Sequence, residues 1–378
     1  MRTLEHISIY SDEAYYSAFP SIVARPDGEL LVAFRRAPDR RRFFAARHTH
    51  TDPNSYLVLV RSQDLGRTWT REPELIYAHP FGGSQDPCMV QLQDDTLLVT
   101  SYAWMPLPQE SVSQAVAEPR WLSYGWPFTF LGGYLVRSTD GGRSWQGPII
   151  PPEGEGQARY FPGVPIPGCN RGAMVQASDG NLYWLVQRSL QARPRHTLLG
   201  LLVSKDGGLT WEDRGIAASD ERVLFNETSL IETPGGDLVA FIRTDYFQDH
   251  GVVVRSTDLG RTWEPWQDMG VVGHPYHAAR LPDGRVFLVY GYRHPPFGIR
   301  ARLLDPECRR FDAPELVLRD DGGGTDLGYP WACVLPDGRV LATYYFNQAD
   351  GVRHIAGTPL APPSAMRCRR AARSCSSR

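Results

Sequence analysis

Ser256-Thr257-Asp258-Leu259-Gly260-Arg261-Thr262-Trp263 decides the fold, because three other stretches repeat its frame. They are Ser62-Gln63-Asp64-Leu65-Gly66-Arg67-Thr68-Trp69, Ser138 to Trp145 (STDGGRSW) and Ser204 to Trp211 (SKDGGLTW). The common form is S-x-D-x-G-x-[ST]-W. Each position has a mechanical reason: Ser and Asp side chains bond turn amides, Gly supplies a positive φ, and Trp packs the turn on the next strand. Four such octapeptides in register predict a β-hairpin turn that repeats with the fold. Its tryptophans are expected to be largely buried, and its aspartates far from any reactive site. The boxes report architecture, so the chemistry has to be sought elsewhere.

A second repeat runs beside the first: an apolar strand, a turn such as Pro-Asp-Gly, then another apolar strand. It occurs as Pro20 to Arg36 (PSIVARPDGELLVAFRR), Pro87 to Tyr102 (PCMVQLQDDTLLVTSY) and Gly172 to Arg188 (GAMVQASDGNLYWLVQR). It recurs as Thr228 to Arg243 (TSLIETPGGDLVAFIR), His277 to Arg293 (HAARLPDGRVFLVYGYR) and Trp331 to Phe346 (WACVLPDGRVLATYYF). Near-continuous apolar runs around a two-residue turn read as hairpins buried on both faces. Six inner hairpins, four followed by a box, predict six four-stranded units. A fifth box has decayed to Leu304-Asp305-Pro306-Glu307-Cys308 with Phe311, and the sixth unit ends at about His354 to Thr358. Leu4 to Tyr10 is expected to supply its missing outer strand and close a ring. Radial repetition of four-stranded sheets is a β-propeller. The fold class is therefore all-β: a six-bladed β-propeller of four-stranded antiparallel blades, one domain over residues 1–358, with 359–378 a disordered basic tail.

Three stretches break the period: the basic loop Ala37 to Asn54, the aromatic-rich Trp104 to Gly132, and the Pro/Gly-rich Gln146 to Asn170. Loops this long are usually functional or disordered, and the aromatics of the second favour an ordered lid. A formal charge of −2 gives no reason to expect nucleic acid or an anionic membrane as partner. No apolar run approaches membrane-spanning length, and Met1 to Tyr10 lacks the apolar core of a signal peptide, so cytoplasmic residence is expected. The six cysteines form no C-x-x-C pair or zinc spacing, and no phosphate-loop, EF-hand or H-E-x-x-H motif occurs. Neither metal nor cofactor is expected.

In a propeller the inner strands begin near the axis at one mouth. Residues just before each hairpin converge there: Ala18-Phe19, Gln85-Asp86, Asn170-Arg171, Asn226-Glu227, Tyr276-His277 and Gly328-Tyr329. Each hairpin's second strand ends near the same mouth and brings Arg35 and Arg243, with Arg36, Arg188 and Arg293 close by. A mouth lined by these arginines beside Glu227 and Tyr329 reads as an anion pocket, because guanidinium forks suit a carboxylate. The alternative is that the arginines pair with Glu227, Asp86 and Asp245 to fill the channel.

The boxes, the hairpin beginning Phe19-Pro20-Ser21-Ile22, the stretch from Asn226-Glu227-Thr228-Ser229 to Arg243, and Gly328-Tyr329-Pro330 together resemble the sialidase (neuraminidase) superfamily. The resemblance spans roughly residues 15 to 358. It implies that Tyr329 is a nucleophile, that Glu227 activates it and that Arg243 belongs to a carboxylate-binding triad. It also implies an acid/base aspartate in the loop before the first box, for which Asp52 is the best match and Asp39 and His50 are weaker ones. The third arginine is Arg293, Arg300 or Arg302. The chain departs from the pattern at Ala18, where the family has its first triad arginine; Arg35, Arg36 or Arg171 are the available substitutes.

The residues support this set physically. A phenol with a pKa near ~10 needs a neighbouring base to attack at neutral pH. Tyrosine is also the known exception to the two-carboxylate glycosidase scheme. The function expected is a retaining exo-glycosidase of a terminal acidic sugar, with carbohydrate as partner. A non-catalytic glycan-binding or scaffold propeller, and an enzyme of the same fold on neutral or uronic sugars, are the alternatives.

Overall fold

The computed structural model describes residues 1–42, 51–108, 121–123, 126–160 and 163–361. Among these, a 3-10 turn at Arg40–Arg42 is the only helix, and six antiparallel sheets stand as the blades of a propeller. Blade one runs from axis to rim as Tyr15–Ala24, Leu30–Pro38, Tyr56–Ser62 and Glu74–Tyr77. Blade four follows the same plan with Leu224–Glu232, Leu238–Asp245, His250–Ser256 and Gln267–Val272. Blade two adds short pieces: Gly83–Ser84 and Cys88–Gln91 share the inner position, and Trp121–Ser123 pairs with Trp126–Ser138. The part of the expected lid that is described lengthens the hairpin of Leu97–Pro106 and Trp126–Ser138; residues 109–120 and 124–125 lie outside the described residues.

The ring closes as expected. Arg2–Thr3 and Ile7–Tyr10 pair with His354–Ala361, the third strand of blade six, in the register Arg2↔Ala361 and Ile7↔Gly357. That strand passes Thr358 and runs to Ala361 because Leu360 is drawn into the core. Residues 362–378, most of the expected tail, lie outside the described residues.

The apolar runs fill the blades. Leu30 to Phe34, Leu238 to Ile242 and Val286 to Tyr290 are enclosed residue after residue, which is why these strands show no polar alternation. The turns between them differ from expectation. The Arg25 carbonyl accepts the Gly28 N–H at 2.9 Å, and the Arg25 N–H reaches the Glu29 carbonyl at 2.8 Å. The same pair of bonds recurs in all six hairpins, at Leu92, Ala177, Thr233, Leu281 and Leu335. Each loop is thus a three-residue turn ending in a left-handed bulge residue and not a two-residue turn. Gly28 has φ +90° there, and Asp95, the one copy without glycine, takes φ +65°, which aspartate tolerates.

The boxes form as read. In the fourth, the Ser256 hydroxyl accepts the Gly260 N–H (2.8 Å) and donates to Asp258 (2.8 Å). Asp258 in turn accepts the Thr262 N–H (2.9 Å) and hydroxyl (2.6 Å). All four sit between the third and fourth strands of their blades, on the rim. Burial of the tryptophans departs from expectation: Trp211 is buried, but Trp69, Trp145 and Trp263 are half-buried. Packing against the turn leaves one edge of those indoles in water.

Side-chain bonds stitch the inner strands around the axis. Ser21 accepts the Met89 N–H, Cys88 the Gly172 N–H, and Asn170 the Thr228 N–H. Ser229 accepts the Ala278 N–H and His277 Nδ1 the Ala332 N–H. Phe19 and Tyr329 complete the circuit with ring centroids 4.7 Å apart.

Candidate functional site

Three inner strands are bulged where they reach the mouth. The ladder skips Phe19 and Pro20 in blade one, Asn226 and Glu227 in blade four, and Tyr329 and Pro330 in blade six. A bulge re-aims its side chains, and proline is admitted to a sheet at such a place. Phe19 (φ +59°) and Tyr329 (φ +51°) take left-handed backbone that bulky residues rarely adopt, a strain that collects at functional sites.

At the centre, one nitrogen holds the two sequence-predicted partners. Arg243 Nη1 donates to Glu227 Oε2 at 2.6 Å and to the Tyr329 hydroxyl at 3.1 Å. Glu227 and Tyr329 therefore meet through Arg243 and not by a direct hydrogen bond. Two further guanidinium groups flank the Tyr329 ring, Arg171 and Arg293, each 5.2 Å from its centroid. Arg171 donates to the Tyr329 and Pro20 carbonyls (2.9 and 3.0 Å). Arg293 donates to the Leu327 carbonyl and the Tyr345 hydroxyl (3.0 and 3.1 Å). Burial, and next the Glu227 charge, push the Tyr329 phenol well above its ordinary range, against the pull of Arg243 and Arg293. Asp86 joins the group: it accepts the Tyr102 hydroxyl at 3.0 Å and keeps its other carboxylate oxygen without a partner. Burial first, and then the Glu227 charge, raise its carboxyl to about 6.

The other predicted residues fall elsewhere. Arg35 lies opposite Ala18 in the ladder and is fully enclosed beneath Tyr16 and Phe19, its guanidinium 5.3 and 5.9 Å from their rings. Arg36, on the opposite face of the strand, pairs with Asp12 (3.1 Å) and covers Tyr15. Arg188 pairs with Asp213 of the outer strand Glu212–Ala218 (2.8 Å). His277 serves as an interblade link and lies against Trp331, 4.2 Å between rings. Asp52 is buried with both carboxylate oxygens on Arg40 (2.7 and 3.1 Å), and Asp39 is held by Arg41. His50 lies outside the described residues. Of the three candidates for third arginine, Arg293 touches Tyr329, whereas Arg300 and Arg302 are turned to the backbone of their own blade.

Sequence reading missed a supporting layer. Asp326 accepts the hydroxyls of Tyr16 (2.9 Å) and Tyr345 (3.0 Å) and pairs with Arg353 (2.8 Å), fixing the tyrosine that orients Arg293. It also missed His274, which burial, then Arg243 and Arg293, hold far below its ordinary pKa and hence neutral. Only the positions of Asp326 and His274, just ahead of two inner hairpins, hinted at them. Among the described residues no group of His, Cys, Asp and Glu is arranged to hold a metal ion.

Comparison with known proteins agrees with the architecture. The family model for the BNR repeat-like domain matches residues 85–341. A solved structure from Dyadobacter fermentans DSM 18053, a protein of unknown function, is 52% identical, with a TM-score of 0.90 over 96% of this chain and 99% of that one. The α-L-arabinanase of Penicillium chrysogenum, solved with arabinobiose, superposes with a TM-score of 0.65 at 13% identity, over 95% of this chain and 98% of that one. A sialidase of Bacteroides fragilis (strain YCH46) is 30% identical over 130 residues, 34% of this chain but 22% of that protein, so the match spans under a quarter of the relative's length. The chain thus belongs to the BNR repeat-like family and is a six-bladed β-propeller.

Proposed function

We propose that this glycosidase-like propeller is a retaining exo-glycosidase of a terminal acidic sugar, working through Tyr329 and Glu227. The observation that carries the reading is Arg243 Nη1 resting on both the Glu227 carboxylate and the Tyr329 hydroxyl. An incoming sugar carboxylate competes for Arg243, with Arg293 beside it, and frees Glu227 to take the phenolic proton. Tyr329 Oη then bonds to the anomeric carbon as the bond to the leaving oxygen breaks, and that oxygen needs a proton. Asp52, the donor implied by resemblance, has both oxygens on Arg40. Asp86 has one unpartnered oxygen and a carboxyl raised to about 6, so the donor role goes to Asp86. Water cleaves the tyrosyl–sugar bond in the second step, giving its proton back to the donor while Glu227 returns one to Tyr329.

A second reading is favoured by Ala18 and Arg35. With the triad position occupied by Ala18 and Arg35 fully enclosed, a ligand meets fewer arginines than a three-armed clamp provides. A uronic or neutral sugar would then fit, and an arabinanase shares the fold. One experiment separates the readings: aryl glycosides, including the α-sialoside, a glucuronide and an arabinofuranoside, assayed with wild type and Tyr329→Phe. The proposal expects turnover of an acidic glycoside that falls by at least ~10³-fold in Tyr329→Phe, while inhibitor affinity stays within a few-fold. An undiminished rate in Tyr329→Phe would falsify the nucleophile assignment.

A further inference from the structure

The rim beside Arg243 carries groups that the chemistry at Tyr329 does not use. The strand Leu238–Asp245 ends in a tight loop, in which Tyr246, Gln248 and Asp249 all take left-handed backbone (φ +66°, +53° and +60°). The strain has an effect: Tyr246 is thrust into water, 86% exposed, immediately after the Asp245 that faces Arg243 at 3.6 Å. Asp249 is turned toward the blade of Tyr276–Arg280 and Val286–Tyr292, where His294 Nε2 lies 3.0 Å from one carboxylate oxygen and His274 Nδ1 3.6 Å from the other. His294 follows Arg293 directly, and the Gly291 carbonyl that accepts the His274 N–H belongs to the backbone packed against Gly328. The loop therefore stands next to Tyr329 and not on a remote face. His274 is more than nine-tenths buried, yet its Nδ1 has no hydrogen-bond partner.

Each group suits a sugar hydroxyl or ring. An exposed tyrosine offers a flat apolar face with little side-chain entropy to lose. The Asp249 carboxylate is partly open, and its two oxygens have lone pairs beyond those used by the histidines. The enclosed His274 ring lies behind Asp249 and limits where its carboxylate can turn. Tyr246 and Asp249 add no positive charge, in contrast to the arginines around Tyr329, so the rim selects against an anion. We propose that Tyr246 and Asp249, the carboxylate positioned by His294 and His274, form a subsite for a neutral sugar, the residue on the leaving-group side of the scissile bond. Tyr246 stacks on the sugar face, and Asp249 accepts from neighbouring hydroxyls. Only the leaving-group placement rests on the glycosidase reading.

The test is binding of free neutral disaccharides (lactose, N-acetyllactosamine and xylobiose) to the intact protein, by saturation-transfer NMR and calorimetry. At least one is expected to bind wild type, and Tyr246→Ala or Asp249→Asn should each raise its Kd by about tenfold or more, the scale of one charged hydrogen bond. Tyr246→Phe should retain most of the affinity, and Leu75→Ala, an exposed change on the blade-one outer strand, should retain all of it. Asn tolerates the backbone at 249, and Tyr246 is exposed, so both variants should melt as wild type does. Failure of all three disaccharides to bind, or binding indifferent to both substitutions, overturns the proposal. Turnover of aryl glycosides by wild type reports separately on the glycosidase reading, so either can fail without the other.

Discussion

Arg243 shows what a single residue position does in this protein. Its guanidinium satisfies a buried Glu227, orients a tyrosine hydroxyl and still presents a nitrogen toward Asp245. Positional counting from the turn glycine brought it to the mouth, but Arg35, at the same count, is sealed beneath Tyr16 and Phe19. The count gives height along the blade and says nothing of what covers the side chain. Asp52 shows a different limit: its ion pair with Arg40 depends on the path of a long loop, which no local rule specifies. Asp86 carries the residue-scale prediction. Its folded carboxyl sits at about 6, above the ordinary 3.8, so between those values the native state holds the extra proton. Its contribution to stability is full below about pH 4 and is lost as the pH rises to about 6. Asp86→Asn should match wild type at pH 4 and exceed it at pH 8 by on the order of 3 kcal/mol, read from urea midpoints. The same variant should spare a nitrophenyl glycoside, whose leaving group needs no proton, and lose an alkyl glycoside. A parallel pH profile for the two proteins would return Asp86 to a purely structural place.

Among the elements, the box turns and the bulged hairpins behave differently toward sequence reading. The boxes were legible because every bond in them is local: Ser62, Asp64, Gly66 and Thr68 satisfy one another within a single turn. What sequence did not convey was how far each indole sinks, since that depends on the neighbouring blade. Trp211 meets Trp184, 5.4 Å between rings, whereas Trp69, Trp145 and Trp263 keep an edge in water. Trp211→Ala should accordingly cost ~3–5 kcal/mol as a cavity, and the other three ~1–3 kcal/mol, with ligand affinity unchanged in the folded protein. Equal losses at all four would mean that the turn geometry, and not burial, sets the cost. The bulges were half-legible. Phe19-Pro20 and Tyr329-Pro330 announce an interrupted ladder, because proline cannot donate to it, but Asn226-Glu227 carries no such mark. Asp326 and His274 were marked by position alone, because their roles arise from partners on other strands and loops.

For the whole molecule, six repeats predict a ring, and the observed closure makes it one. The N-terminal strands bury Ile9 and Tyr10 against blade one and blade six, so their removal opens a hydrophobic seam. Deletion of residues 1–10 should lower the urea midpoint and raise dye binding to exposed apolar surface, while leaving the blade-four box folded. A midpoint equal to that of the full chain would show that the seam is closed by other means. The pairing of Ile7 with Gly357 also has a meaning in time. At ~5–20 residues per second, a ribosome delivers the first partner tens of seconds before the second. Through that interval the leading segment is an unpaired strand edge, open to the wrong neighbour. Blades one to five can assemble as they emerge, but the ring locks only once the strand of Gly357 has emerged, and a holdase bound to Ile7–Tyr10 would shield it until then.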